Sequence, residues 1–156
     1  MRIRKAEPKD LPQMVQIESL CFPEETAFPP GMFAYLIRYA VAIVAYEPED
    51  QILGFIIGYN SGNAGAVYTL DVHTGYRRRG IGKELLLSLE KRLAMMGARA
   101  IRLEASLEKP EAIELYRKAG YREREIVRNY YGRGCHAVRM WKILQPLSSL
   151  PGIDSA

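Results

Sequence analysis

Val67-Tyr68-Thr69-Leu70-Asp71-Val72 and, two residues on, Gly75-Tyr76-Arg77-Arg78-Arg79-Gly80-Ile81-Gly82-Lys83 decide how this chain folds. The first run is β-branched and aromatic, the composition of a strand. It ends in a turn that opens into three arginines and two glycines spaced Gly-x-Gly. Behind the glycines, Ile81, Leu85, Leu89, Arg92 and Met96 fall on one helical face, flanked by Leu86 and Leu93. A strand, a glycine-rich turn and a helix start together make a phosphate-binding arrangement. The first N–H groups of a helix lack intrahelical partners, and the helix dipole adds partial positive charge there. Gly80 and Gly82 have no Cβ to keep a bulky anion from the backbone. The arginines add charge and forked donors.

Two familiar phosphate loops do not fit. A Walker loop needs Ser or Thr after Gly-Lys to hold magnesium, and Gly82-Lys83 is followed by Glu84. A dinucleotide fingerprint needs a third glycine or alanine, where this chain has Leu85. Arg77-x-x-Gly80-x-Gly82 instead resembles the Arg/Gln-x-x-Gly-x-Gly/Ala pyrophosphate loop of the GNAT superfamily, the general N-acetyltransferases. The resemblance implies acetyl-coenzyme A as cosubstrate. It would be bound by the strand end Leu70, Asp71 and Val72 and by the loop residues Arg77, Arg78, Arg79, Gly80, Ile81, Gly82 and Lys83.

The rest of the chain supplies matching elements. Residues 2–6 alternate as a short strand. Asp10 is placed to cap a helix that carries Pro12 in its first turn and Met14, Ile17, Leu20 and Cys21 on its apolar face. Residues 32–39 form a second helix after Pro29-Pro30-Gly31. Strands at 41–46 and 52–59 flank a turn and suggest a hairpin, and a strand at 66–72 precedes a helix at 80–96 closed by Gly97. A strand follows at 100–106. Pro110 opens a helix that Gly120 closes, and strands at 122–127 and 137–143 surround the turn 131–134. The order β-α-α-β-β-β-α-β-α-β-β predicts an α/β fold with a mixed, mostly antiparallel sheet and helices on both faces. It is also the GNAT order, so the resemblance spans roughly 2–143. One acetyltransferase domain is expected over 1–144, with a flexible tail over 145–156.

Composition agrees with one globular domain. The chain has 156 residues, 48% apolar and 26% charged, ordinary values for a soluble protein. A net charge of +4 suits an anionic cosubstrate without demanding nucleic acid. Cys21 and Cys135 are too few and too far apart for a disulfide framework or metal cluster. His73 and His136 lack partners at metal spacing, so no metal is expected. No leader-like or membrane-spanning run is present, so the expectation is a cytoplasmic protein, monomer or homodimer, with no membrane or nucleic-acid partner.

Acetyl transfer to an amine requires loss of a proton from the amine, donors for the oxyanion and a proton for the departing sulfur. Ala112-Ile113-Glu114-Leu115-Tyr116-Arg117-Lys118-Ala119-Gly120-Tyr121 resembles the GNAT segment whose first tyrosine protonates the coenzyme A sulfur. Tyr116 is therefore the candidate acid; the alternative is a buried ring with a satisfied hydroxyl. Glu104, in Ile101-Arg102-Leu103-Glu104-Ala105-Ser106, is the candidate base. The strand and its twelve-residue interval to Tyr116 are similar to those of the ribosomal-protein-type protein N-terminal acetyltransferases. Apolar neighbours would raise the pKa of a glutamate and help it act as a base. The alternatives are an ion pair with Arg102 or Arg99, with Asp71 or a backbone-water relay as base. Lys109 stands seven residues before Tyr116, where the family commonly has a cofactor-contacting Asn.

Two further segments resemble the loops that flank a peptide's N-terminus in those enzymes. The first is Glu18-Ser19-Leu20-Cys21-Phe22-Pro23, with Phe28 where that pattern has Trp. The second is Asn129-Tyr130-Tyr131-Gly132 followed by His136-Ala137-Val138-Arg139-Met140. Phe22, Pro23, Phe28, Tyr130 and Tyr131 are thus candidate substrate contacts. Arg133-Gly134 replaces the usual Asp-Gly, which suits a neutral or acidic peptide. The leading expectation is acetylation of a protein or peptide N-terminus, with a small-molecule amine or a lysine side chain as the alternative acceptor. A basic RNA-binding module built on Arg77–Arg79, Arg122, Arg124 and Arg128 ranks below both, because it lacks the aromatic signature of an RNA-recognition sheet.

Overall fold

A computed structural model describes residues 1–144, so the expected tail at 145–156 lies outside the described residues. The elements follow the predicted order: β1 (Arg2–Lys5), α1 (Leu11–Cys21), α2 (Pro30–Tyr39), β2 (Val41–Glu47), β3 (Gln51–Ser61), β4 (Ala64–Val72), α3 (Ile81–Met95), β5 (Ala100–Ser106), α4 (Pro110–Lys118), β6 (Arg122–Gly132) and β7 (Cys135–Ile143). Seven strands form a sheet in the order β1-β2-β3-β4-β5-β7-β6. β4 and β5 pair in parallel; β1 with β2, β2 with β3, β5 with β7 and β6 with β7 pair antiparallel. The mixed, mostly antiparallel α/β sheet is as expected.

Four local features differ from the expectation. α2 begins at Pro30, two residues early, because proline is favoured in a first helical turn. Asp10 does not cap α1 with its side chain. Its buried carboxylate instead forms a two-pronged pair with Arg4 at 2.7 and 2.9 Å and accepts the Glu7 amide at 2.8 Å, tying β1 to the start of α1. On α3 the buried stripe is Ile81, Leu85, Leu86, Leu89 and Leu93; Arg92 and Met96, expected on that face, are exposed. β6 continues to Gly132, past the expected end at 127, by shifting register between Val127 and Gly132 with Asn129 at φ 57°. An asparagine tolerates that conformation, and an irregularity of this kind lets a strand bend and go on.

The described chain forms two compact units, Met1–Gly58 with Tyr68–Leu89, and Tyr59–Val67 with the chain from Glu90. The first has a core of Met14, Ile17, Phe33, Leu36, Val44 and Phe55 among its members, with Phe33 edge-on to Phe55 at 5.6 Å. Gly54 on β3 marks a close approach. A Cβ there would lie 2.7 Å from the Asp71 carbonyl oxygen and 3.2 Å from the Val72 Cα, both backbone. Gly54→Ala is therefore expected to displace the end of β4 and destabilise the protein by about 1–3 kcal/mol, the usual cost of overpacking. A melting curve should show it at roughly 2–4 °C per kcal/mol. An unchanged melting temperature would mean that the two strands separate freely.

In the second unit, β5 alternates buried Ile101, Leu103 and Ala105 with half-buried Arg102, Glu104 and Ser106. It pairs with β4 at Ala64–Ala66 on one side, and along its whole length, Ala100–Ser106, with β7 on the other. Buried Glu90 and Tyr121 form a polar cluster with half-buried Lys142. The Tyr121 hydroxyl donates to Glu90 at 2.9 Å and Lys142 Nζ to the other Glu90 oxygen at 2.8 Å.

Candidate active site

In the first unit the segment after β4 is shaped by its own backbone and by Arg77. His73 Nδ1 accepts the Gly75 amide at 3.0 Å, setting a single turn at Thr74–Tyr76. Arg77 then folds back: Nε donates to the Val72 carbonyl at 3.3 Å and Nη2 meets Cys21 Sγ at 3.4 Å. Cys21 Sγ in turn donates to the Val72 carbonyl at 3.4 Å. The Arg77 side chain thus clips the turn to the end of β4, a role its place in the motif does not reveal. Arg79 lies over the Tyr76 ring at 5.3 Å. Arg78 and Gly80 both have positive φ, 65° and 78°. A Cβ on Gly80 would meet nothing within 4 Å, so the space above that backbone is open.

Gly80 also accepts the Glu84 amide at 3.1 Å and so starts α3. The amides of Ile81, Gly82 and Lys83 belong to the first helical turn, where intrahelical acceptors are lacking. Open backbone, first-turn amides, three exposed arginines and exposed Lys83 are the donor set a pyrophosphate requires. Leu70 and Val72 are half-buried at the end of β4, and Asp71 between them is fully buried, its carboxylate accepting the Thr69 hydroxyl.

In the second unit Tyr116 is buried on α4, its ring edge-on to Tyr121 at 6.0 Å. Burial, then the neighbouring Glu90 carboxylate, pushes the Tyr121 hydroxyl far above the ordinary tyrosine range. The Tyr121 hydroxyl donates its proton to Glu90 at 2.9 Å. Lys109 caps α4 with its backbone alone: its carbonyl accepts the Ala112 and Ile113 amides at 3.1 and 3.3 Å, and no side-chain cap is formed.

Glu104 does not have the apolar surroundings expected of it. Its side chain is 5% exposed, with Arg102 Nε at 3.4 Å and Arg139 Nη2 at 3.3 Å from the same oxygen. Arg102 shares its strand face two residues away, and Arg139 is its register partner on β7. Tyr131 donates its hydroxyl to the Glu104 carbonyl at 3.1 Å. Tyr130 packs edge-on against Tyr131 at 4.8 Å and is 48% exposed. Burial, then the charge of Glu104, raises the Tyr130 pKa against the opposing pull of Arg102 and Arg139. The second unit therefore brings Glu104, Tyr130 and Tyr131 together.

The remaining predicted contacts lie in the first unit. Phe28 donates its amide to the buried Glu18 carboxylate at 3.1 Å and packs against Phe33 at 5.9 Å; Phe22 is half-buried and Pro23 exposed. Glu18, which pins this loop, carried no chemical expectation of its own.

The family model described as "Acetyltransferase (GNAT) family" matches residues 11–121. The chain belongs to the GNAT acetyltransferase family. This GNAT chain is an acetyl-coenzyme A-dependent N-acetyltransferase. It is 31% identical to the N-alpha-acetyltransferase of Sulfurisphaera tokodaii over 153 residues, covering 89% of this chain and 90% of that one. The structure is similar to the ribosomal-protein-S18-alanine N-acetyltransferase from Escherichia coli, at 26% identity, 96% and 97% coverage and a TM-score of 0.80. It is also similar to Ard1 from Thermoplasma volcanium, at 25% identity, 92% and 97% coverage and a TM-score of 0.84.

Proposed function

We propose that this GNAT enzyme acetylates the N-terminal α-amine of a protein or peptide by direct attack of the amine on the thioester. The observation that carries this is the grouping of a recessed carboxylate, Glu104, with two tyrosines, Tyr130 and Tyr131, one of them open to solvent. Aromatic rings beside a single carboxylate suit a flat peptide backbone that ends in an amine. The N-alpha-acetyltransferase relative and the S18-alanine acetyltransferase neighbour support the same acceptor.

The roles follow from chemistry. Acetyl-coenzyme A supplies the activated acetyl group. The amides and cations from Arg77 to Lys83 bind its pyrophosphate, Leu70, Asp71 and Val72 align with its acyl arm, and Lys109 adds a cation where an amide is common. Glu104 takes a proton from the substrate ammonium, directly or through a water. The amine nitrogen then bonds to the carbonyl carbon, the carbon–sulfur bond breaks as the Tyr116 hydroxyl gives its proton to the sulfur, and the second proton shed by the nitrogen returns through water to the Tyr116 oxygen, leaving the amide and the thiol. No covalent acyl-enzyme is needed.

An α-amine has an ordinary pKa of about 8, against roughly 10.4 for lysine. A glutamate can therefore serve an N-terminus near neutral pH more readily than a lysine side chain. Glu104→Gln keeps the shape and removes the basic function. Its rate should fall near pH 7 and recover in part at high pH, where the free amine forms unaided. If the acidic limb of the pH–rate profile matches the parent's, the base lies elsewhere and Asp71 or a water chain takes its place.

A further inference from the structure

The charges around Glu104 are unevenly satisfied. Arg139 is used twice, by Glu104 at 3.3 Å and from the exposed side by Glu125 at 3.1 Å. Arg102 has one ion-pair partner, Glu104, at 3.4 Å, and the arginine's buried Nε makes no hydrogen bond among the described residues. Two guanidinium groups share one Glu104 oxygen, and Arg139 alone has a second carboxylate, Glu125, so Arg102 is the less neutralised of the two. The Arg102 side chain remains 34% exposed, enough for its outer nitrogens to receive a ligand.

Arg102 also faces the proposed acceptor position. It lies two residues from Glu104 on the same strand face, about 7 Å along a strand. Burial and the charge of Glu104 raise the Tyr130 pKa, and the charges of Arg102 and Arg139 oppose that rise. The register partner on β7 is Trp141, which is half-buried. A cation with spare donors beside the base, bordered by aromatic side chains, is a receptor for an anion attached close to an amine. A guanidinium binds a carboxylate through paired, charge-assisted hydrogen bonds.

We propose that Arg102 is a specificity-determining residue that receives the side-chain carboxylate of an aspartate or glutamate at the first or second position of the acceptor peptide. The α-amine of the same peptide then meets Glu104. This rests on the N-terminal acceptor proposed above. Lysine at those positions is disfavoured by the Arg102 guanidinium, and a neutral side chain leaves Arg102 with Glu104 alone.

Peptide pairs identical except for Glu or Gln at residue one, or at residue two, test this through the ratio of their kcat/KM values. The ratio is internal to each protein, so it is independent of how much of a variant folds. The wild-type enzyme should prefer the acidic peptide of at least one pair by about tenfold or more, given the strength of hydrogen bonds to charged groups. Added salt should shrink that preference. Arg102→Gln should bring the ratio close to one, and Arg102→Lys should keep part of it. A wild-type ratio near one, or a ratio unchanged in Arg102→Gln, overturns the role of Arg102 while leaving the N-terminal acceptor in place. Failure of the wild-type enzyme to acetylate any of the peptides overturns both.

Discussion

Tyr116→Phe is expected to lower kcat by at least tenfold and to leave coenzyme A affinity nearly unchanged. A general acid contributes about 10²–10⁴-fold, so the upper part of that range is open to this one hydroxyl. The substitution suits the site because the ring does the packing. Tyr116 is buried, edge-on to Tyr121, on a helix whose next turn is closed by the Tyr121 amide bonding to the Tyr116 carbonyl at 3.0 Å. Phenylalanine keeps all of that. Tyr121, the tyrosine packed against it, donates its proton to Glu90, and Glu90 is itself held by Lys142. Thiol release followed at saturating acetyl-coenzyme A measures the effect. Near-normal turnover would make Tyr116 a packing residue and leave the sulfur to be protonated by solvent.

Gly82→Glu should produce the second large effect, a loss of at least tenfold in coenzyme A affinity. Gly82 is the second residue of α3, buried, and its amide is one of the first-turn donors that lack intrahelical acceptors. A carboxylate at this end of a helix is compatible with the helix dipole, so α3 should still form. What changes is the anion site. The side chain would crowd the backbone proposed to hold the pyrophosphate, and its negative charge would oppose the field of Arg78, Arg79 and Lys83. Titration calorimetry with coenzyme A, beside a melting curve to confirm the fold, reads this directly. An unchanged dissociation constant in a folded variant would move the phosphate elsewhere.

The segment proposed to bind coenzyme A is the part of this fold most legible in the sequence. A switch from strand pattern to helical period across Arg77–Lys83 is a local property, and the structure places β4, the turn and α3 in that order. β5 is equally clear, because one of its faces is buried and its alternation is strict. β6 hid its length for the opposite reason. Arg122-Glu123-Arg124-Glu125 is exposed on both faces of a terminal strand, so no alternation marks where the strand ends.

Long-range pairing was the other blind spot. Strand parity shows that Arg102 and Glu104 share a face, but only the β5–β7 register brings in Arg139, thirty-five residues away. Asp10 shows local chemistry losing to tertiary chemistry. Its sequence position suits a helix cap, yet the buried pair with Arg4 holds its carboxylate. Burial alone would raise the Asp10 pKa; the hydrogen bonds from Arg4 and the Glu7 amide outweigh it and hold the group below the ordinary aspartate range. The Arg77 clip onto Val72 and Cys21 likewise depends on α1 ending beside β4.

The acceptor atom is the central question, and the position of the transferred acetyl group answers it. The wild-type enzyme would be incubated with acetyl-coenzyme A and three acceptors: a peptide with a free N-terminus and an internal lysine, the same peptide blocked at its N-terminus, and a small polyamine. Fragmentation mass spectrometry of the products should find one acetyl group, on the α-amine of the first peptide, with little on the blocked peptide or the polyamine. Acetyl groups on the lysine of the blocked peptide, or on the polyamine alone, would contradict N-terminal acetylation and assign the carboxylate and tyrosines of the second unit to a different amine.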